Sequence, residues 1–150
     1  MKMFAYGMNT NLDEMARRCP SAVSLGPAWI NNYELAFRTH ADIESKPGAK
    51  CHGVLWDIDL AALRSLDSLE GFPYYYTRFT VRVNTSRYFV GGLVYMMTDQ
   101  SSLQLPSTSY LDTVTTGYKQ NNVPTDQLDQ AINRVCSTNP ETNLELQFTW

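Results

Sequence analysis

Long apolar runs are missing from this chain. Nowhere do about eighteen apolar residues follow one another, so no segment reads as a membrane span. The start, Met1-Lys2-Met3-Phe4-Ala5-Tyr6-Gly7, lacks the apolar stretch of a secretory signal, which leads us to expect a cytoplasmic protein. Clusters of Lys and Arg are missing as well. With a net charge of −3 and a pI near 5.3, nothing supplies the electrostatic footprint of a nucleic-acid surface, and a small, weakly charged partner is expected instead. Cysteine is scarce and scattered: Cys19, Cys51 and Cys136 make neither a disulfide framework nor a Cys-rich zinc site. His52 beside Cys51 does not form a metal pair, because neighbours on a strand face opposite ways. Repeats, low-complexity tracts and dividing linkers are also lacking, so residues 1–150 read as a single domain, and 43% hydrophobic content is enough for a core.

What is present is a succession of short strands and helices. Lys2 to Tyr6 is an apolar run ending at Gly7, followed by a helix from about Asn11 to Arg18, before Cys19-Pro20. The intervening Tyr6-Gly7-Met8-Asn9-Thr10-Asn11 tolerates unusual dihedrals and can point backbone N–H groups at an anion. It equally fits a plain turn with Thr10 or Asn11 as helix cap. Ala22 to Glu44 is rich in β-formers, including Trp29, Ile30, Tyr33, Leu35 and Phe37; Glu44 to Lys50 reads as a loop; Gly53 to Ile58 is a strand. Tyr74 to Val83 and Tyr88 to Met97 read as an antiparallel pair, with Gly91-Gly92 marking a bulge or a close backbone approach. A helix capped by Ser107 and another from about Thr125 to Val135 follow; Leu128, Ala131, Ile132 and Val135 form the apolar stripe of the second. The tail alternates Leu144, Leu146, Phe148 and Trp150 with polar residues, a pattern able to join the sheet or a partner chain, so a homodimer is one expected assembly.

The stretch Leu66-Asp67-Ser68-Leu69-Glu70-Gly71-Phe72-Pro73 organises the rest. Leucines at 60, 63, 66 and 69 and an Asp59 cap predict a helix, with Ile58 and Leu63 as its hydrophobic staple. Gly71 and Pro73 stop it. Glu70 is thereby held at a helix exit, where the dipole is unfavourable to a carboxylate and a functional role would explain its presence. Taken alone, the segment also fits a solvated surface glutamate.

Three stretches in order resemble the gamma-glutamylcyclotransferase-like family: Phe4-Ala5-Tyr6-Gly7-Met8-Asn9, similar to its FAYGSN segment; Leu66 to Gly71 with Tyr76 and Arg78, similar to its LDxxEG turn and downstream tyrosine; and Pro106-Ser107-Thr108-Ser109-Tyr110 with Gly117 and Val123-Pro124, similar to its PSxxY helix and later positions. The resemblance spans about residues 3–132 and leaves 136–150 unassigned. It implies an α+β fold, a small mixed β-barrel with flanking helices, and a side pocket into which a glutamate reaches. It also implies the reaction. The α-amine of a γ-glutamyl compound attacks its own γ-carbonyl, releasing 5-oxoproline and the attached amine or amino acid, with no metal or organic cofactor.

On that resemblance Glu70 is the general base and then acid, with a pKa raised by burial beside Tyr76 or Phe72. Tyr6, Gly7, Met8 and Asn9 bind the substrate carboxylate and polarise the γ-carbonyl through backbone donors. Tyr110 corresponds to the family's substrate-contacting tyrosine; Tyr76 and Tyr95 are wall residues or core tyrosines with satisfied hydroxyls. Met8 stands where the family has serine, so that hydroxyl is absent. Two other readings stay open: a non-catalytic metabolite-binding or regulatory protein on the same fold, which Met8 favours, and an interaction protein that uses the tail.

Overall fold

Two long antiparallel strands dominate the computed structural model, which describes residues 1–138. β2 (Val23–Arg38) and β3 (His40–Asp57) turn about Thr39, whose φ is 68°. β1 (Lys2–Ala5) lies antiparallel to β3. A second hairpin, β4 (Tyr76–Asn84) and β5 (Phe89–Met97), forms separately. The two units meet at two seams: β1 runs parallel to β5 at Met3 and Leu93, and β2 meets β4 at Trp29 and Asn84. The result is the expected mixed barrel, closed in the order β1-β3-β2-β4-β5. Flanking it are α1 (Leu12–Arg18), α2 (Leu60–Leu69), α3 (Thr108–Gln120) and α4 (Asp126–Thr138). No helix among the described residues is long and apolar enough to cross a membrane.

The local signals hold where the physics is local. Asp59 caps α2 by accepting from the Ala62 N–H at 2.8 Å, and Ser107 caps α3 through the Tyr110 N–H at 3.2 Å. Asn11, not Thr10, caps α1. Ile58 and Leu63 are both buried beside the α2 cap. The α4 stripe packs inward at Leu128, Ala131 and Val135, with Ile132 half-buried.

One expectation changes, and two patterns become specific. Glu44 to Lys50 is part of strand β3 instead of a loop, although the ladder with β2 jumps there from Asn31–Lys50 to Tyr33–Ser45 and Lys46 to Ala49 form an outward excursion. Gly91-Gly92 makes no bulge, because the β4–β5 register runs unbroken from Tyr76–Met97 to Asn84–Phe89. A Cβ on Gly92 would instead lie 3.0 Å from Val83 and 3.6 Å from the Lys2 carbonyl, so the glycine serves close approach at the β1–β5 seam. Finally, the leucine stripe of α2 is only half core. Three residues advance a helix by about 300°, so each leucine is displaced by about 60° from the last. Leu63 and Leu66 are buried while Leu60 and Leu69 stand exposed. The alternating pattern of Leu144 to Trp150 lies outside the described residues.

Candidate active site

Helix α2 delivers Glu70. It ends in a Schellman motif: the Phe72 N–H donates to the Asp67 carbonyl at 2.9 Å and the Gly71 N–H to the Ser68 carbonyl at 3.3 Å, with Gly71 at φ 63°. Asp67 locks this turn to the second hairpin. It accepts two hydrogen bonds from Arg78, at 2.9 and 3.1 Å, and a third from the Tyr95 hydroxyl at 2.7 Å. Burial pushes its carboxyl up, but these donors outweigh that and hold it below the usual range. Phe72 stacks under the Arg78 guanidinium, 4.2 Å away, and takes no part in the cavity lining.

The chain leaving β1 supplies the facing wall. Residues Met8–Thr10 wind a single 3-10 turn whose last N–H groups return to Gly7 and Met8. Two buried aromatics pin this turn: the Trp56 indole donates to the Asn9 carbonyl at 3.0 Å, and the Tyr118 hydroxyl to the Tyr6 carbonyl at 2.6 Å. Asn9 is therefore oriented from behind. Its side-chain amide donates to Glu70 Oε1 at 3.0 Å and its oxygen accepts from Arg18 Nη1 at 3.0 Å, giving a relay from cation to carboxylate.

Between helix exit and turn lies a cavity of about 230 Å³. Tyr6, Gly7, Met8, Asn9, Glu70, Tyr76, Tyr95 and Tyr110 all line it, so the structure brings every anticipated site residue to one place. His40, Leu69 and Tyr75 are its exposed members and form its mouth. Half-buried among these walls, Glu70 has its pKa raised by burial; the Arg18 charge and the Asn9 hydrogen bond oppose this only in part.

The tyrosines differ in what their hydroxyls do. Tyr6 donates to the Tyr95 carbonyl at 2.6 Å and Tyr76 to the Ala41 carbonyl at 2.7 Å, so both protons are committed to backbone. Tyr110 behaves otherwise. Its oxygen accepts the Ala41 N–H at 3.0 Å, while its own proton has no protein acceptor among the described residues. Burial pushes this phenol up to about 12.

Sequence reasoning missed Arg18, Trp56, His40 and Tyr75. Arg18 alone left a signal, as a cation on the helix that follows the Tyr6–Asn11 turn, paired i,i+4 with Glu14. The others join the site only through long-range folding.

A family model described as "Gamma-glutamyl cyclotransferase, AIG2-like" matches residues 3–112. The gamma-glutamylcyclotransferases of Bos taurus and Homo sapiens are each 30% identical over 135 residues, covering 81% of this chain and 71% of the relative. A solved structure named gamma-glutamyl cyclotransferase superposes with a TM-score of 0.77 at 26% identity, covering 87% of this chain and 85% of the other.

Proposed function

Because the chain belongs to the gamma-glutamyl cyclotransferase, AIG2-like family, we propose that it cyclises a γ-glutamyl amine or amino acid to 5-oxoproline, with Glu70 as the proton carrier. The observation that carries this reading is a carboxylate of raised pKa, half-buried in the cavity and aimed by Asn9. A new C–N bond forms between the α-nitrogen and the γ-carbon, and the bond to the leaving nitrogen breaks. Two protons pass from the α-ammonium to the leaving amine. Glu70 accepts each as base and returns it as acid, a role that needs a carboxyl pKa nearer neutrality than that of free glutamate.

Such proton transfer typically contributes about 10²- to 10⁴-fold, so orientation in the cavity supplies the remainder. On this reading the γ-carbonyl lies against the Gly7–Asn9 turn that lines the cavity, and the Tyr110 proton is free for a substrate oxygen. The cavity suits a small molecule. The exposed mouth leaves the departing amine in solvent, consistent with several leaving groups.

The test is 5-oxoproline release from a panel of γ-glutamyl amines and dipeptides by wild type and Glu70→Gln. Wild type is expected to release it, and the variant to lose about 10²-fold or more. An active Glu70→Gln protein removes Glu70 from the mechanism. A folded wild type silent across the panel would transfer the assignment to metabolite binding, the reading favoured by the Met8 thioether in place of a hydroxyl.

A further inference from the structure

Arg18 is held in the cavity in a way its structural contacts do not account for. It is the one arginine or lysine among the lining residues, and a quarter of its side chain is exposed. A guanidinium offers five N–H donors in a planar fork, suited to two-pronged contact with a carboxylate. Here it has one good acceptor, the Asn9 amide oxygen at 3.0 Å. Its Nη2 instead meets the Met8 sulfur at 3.2 Å, and its Nε lies 3.6 Å from the Glu14 carboxylate, beyond ordinary hydrogen-bond length. A thioether is a weak acceptor and gives way easily to a charged oxygen.

The second observation is the spacing of charge. Arg18 and Glu70 do not pair with each other. The Asn9 amide separates them, accepting from one and donating to the other at 3.0 Å each. A cation and a carboxylate held one amide apart are complementary to a zwitterionic α-amino-acid head group, whose ammonium and carboxylate flank a single carbon.

We propose that Arg18 binds the α-carboxylate of the γ-glutamyl group, displacing the Met8 sulfur, while Glu70 receives the α-ammonium. This rests on the cyclotransferase reading for the identity of the ligand. It transfers carboxylate recognition from the backbone turn to a side chain, leaving the turn to the γ-carbonyl. It also gives Met8 a use: a displaceable acceptor that holds the guanidinium in place while the cavity is empty. Ligands lacking the α-carboxylate would bind less well, because Arg18 would then keep the Asn9 oxygen as its one good acceptor.

The experiment pairs a change in ligand with a change in protein. Calorimetry would compare 5-oxoproline with its primary carboxamide on wild type, Arg18→Met and Arg18→Lys, with thermal melts to check folding. Wild type is expected to prefer the carboxylate by about 10- to 100-fold, the range for a charged hydrogen bond. Arg18→Met should bind the two alike, and Arg18→Lys, which keeps the charge without the fork, should fall between. A preference that is absent in wild type, or that survives intact in a folded Arg18→Met, overturns the inference. If Arg18→Met does not fold, an undiminished preference in Arg18→Lys overturns it as well. A purely positional role through Asn9 would lower kcat and shift the pH profile while leaving the carboxylate preference untouched, and that too counts against it. Failure of the cyclotransferase reading looks different: carboxylate preference dependent on Arg18, with no turnover of any γ-glutamyl compound by wild type.

Discussion

At Glu70, the proposed role and stability pull in opposite directions. A carboxyl whose folded-state pKa is raised binds its proton more tightly in the folded chain than in the unfolded one. The folded state therefore loses stability as pH rises from the ordinary glutamate range through the raised value, and bears no such cost below it. Glu70→Gln, which removes the charge but keeps the shape, should melt higher than wild type at pH 7 to 8, with the difference shrinking toward zero near about pH 4. Melting curves across that range check this. A difference that did not change with pH would show that burial of this charge is not what matters. The sequence made Glu70 legible because the Asp59 cap, the glycine stop and the family motif all converge on it. Its raised pKa was anticipated from Tyr76 or Phe72, yet only Tyr76 lines the cavity, since Phe72 is drawn away by Arg78. The Arg78 guanidinium that stacks on Phe72 also pairs with Asp67, eleven residues before it in the chain, and nothing local encodes that arrangement.

Elements show the same division between what is local and what is not. Caps were readable at Asp59 and Ser107 because a cap is a bond to the next turn of the same chain. The Lys46 to Ala49 excursion was not, because only the partner strand β2 decides whether a Pro-Gly segment leaves the ladder or interrupts it. Gly117, in the second half of α3, is a poor helix former by propensity but a close contact in the fold. A Cβ there would lie 2.4 Å from Thr10 Oγ1 and 2.6 Å from the Asn11 N, at the end of the turn that holds Met8 and Asn9. Two effects compete in Gly117→Ala. Helix propensity favours alanine by about 1 kcal/mol, whereas overpacking against a fixed backbone costs about 1–3 kcal/mol. Because the clash is with backbone, the second should win, and α3 should shift away from the turn. Denaturant melts are expected to show net destabilisation together with a drop in kcat/KM, since α3 also carries Tyr110. Net stabilisation would mean that the helix and turn separate without strain.

On the scale of the whole molecule, the barrel is two antiparallel units joined at two narrow seams, and the cavity tyrosines tie those units together. Tyr6, at the end of β1, donates to the Tyr95 carbonyl on β5. Tyr76, at the start of β4, donates to the Ala41 carbonyl on β3. Asp42 on β3 adds a third tie by accepting the Met97 N–H of β5 at 2.8 Å. The site thus lies where the halves meet, and the residues that shape it also keep the barrel closed. Removing either tyrosine hydroxyl deletes a buried hydrogen bond, which costs about 0.5–1.5 kcal/mol. Tyr6→Phe and Tyr76→Phe should therefore lower the denaturation midpoint while leaving KM nearly unchanged, because neither proton is available to a substrate. Tyr110→Phe should raise KM, because its proton has no protein acceptor among the described residues. Denaturant melts and Michaelis analysis on the three variants separate the roles. A raised KM at unchanged stability in Tyr6→Phe or Tyr76→Phe would return that hydroxyl to the substrate and make the seams depend on the backbone ladders alone.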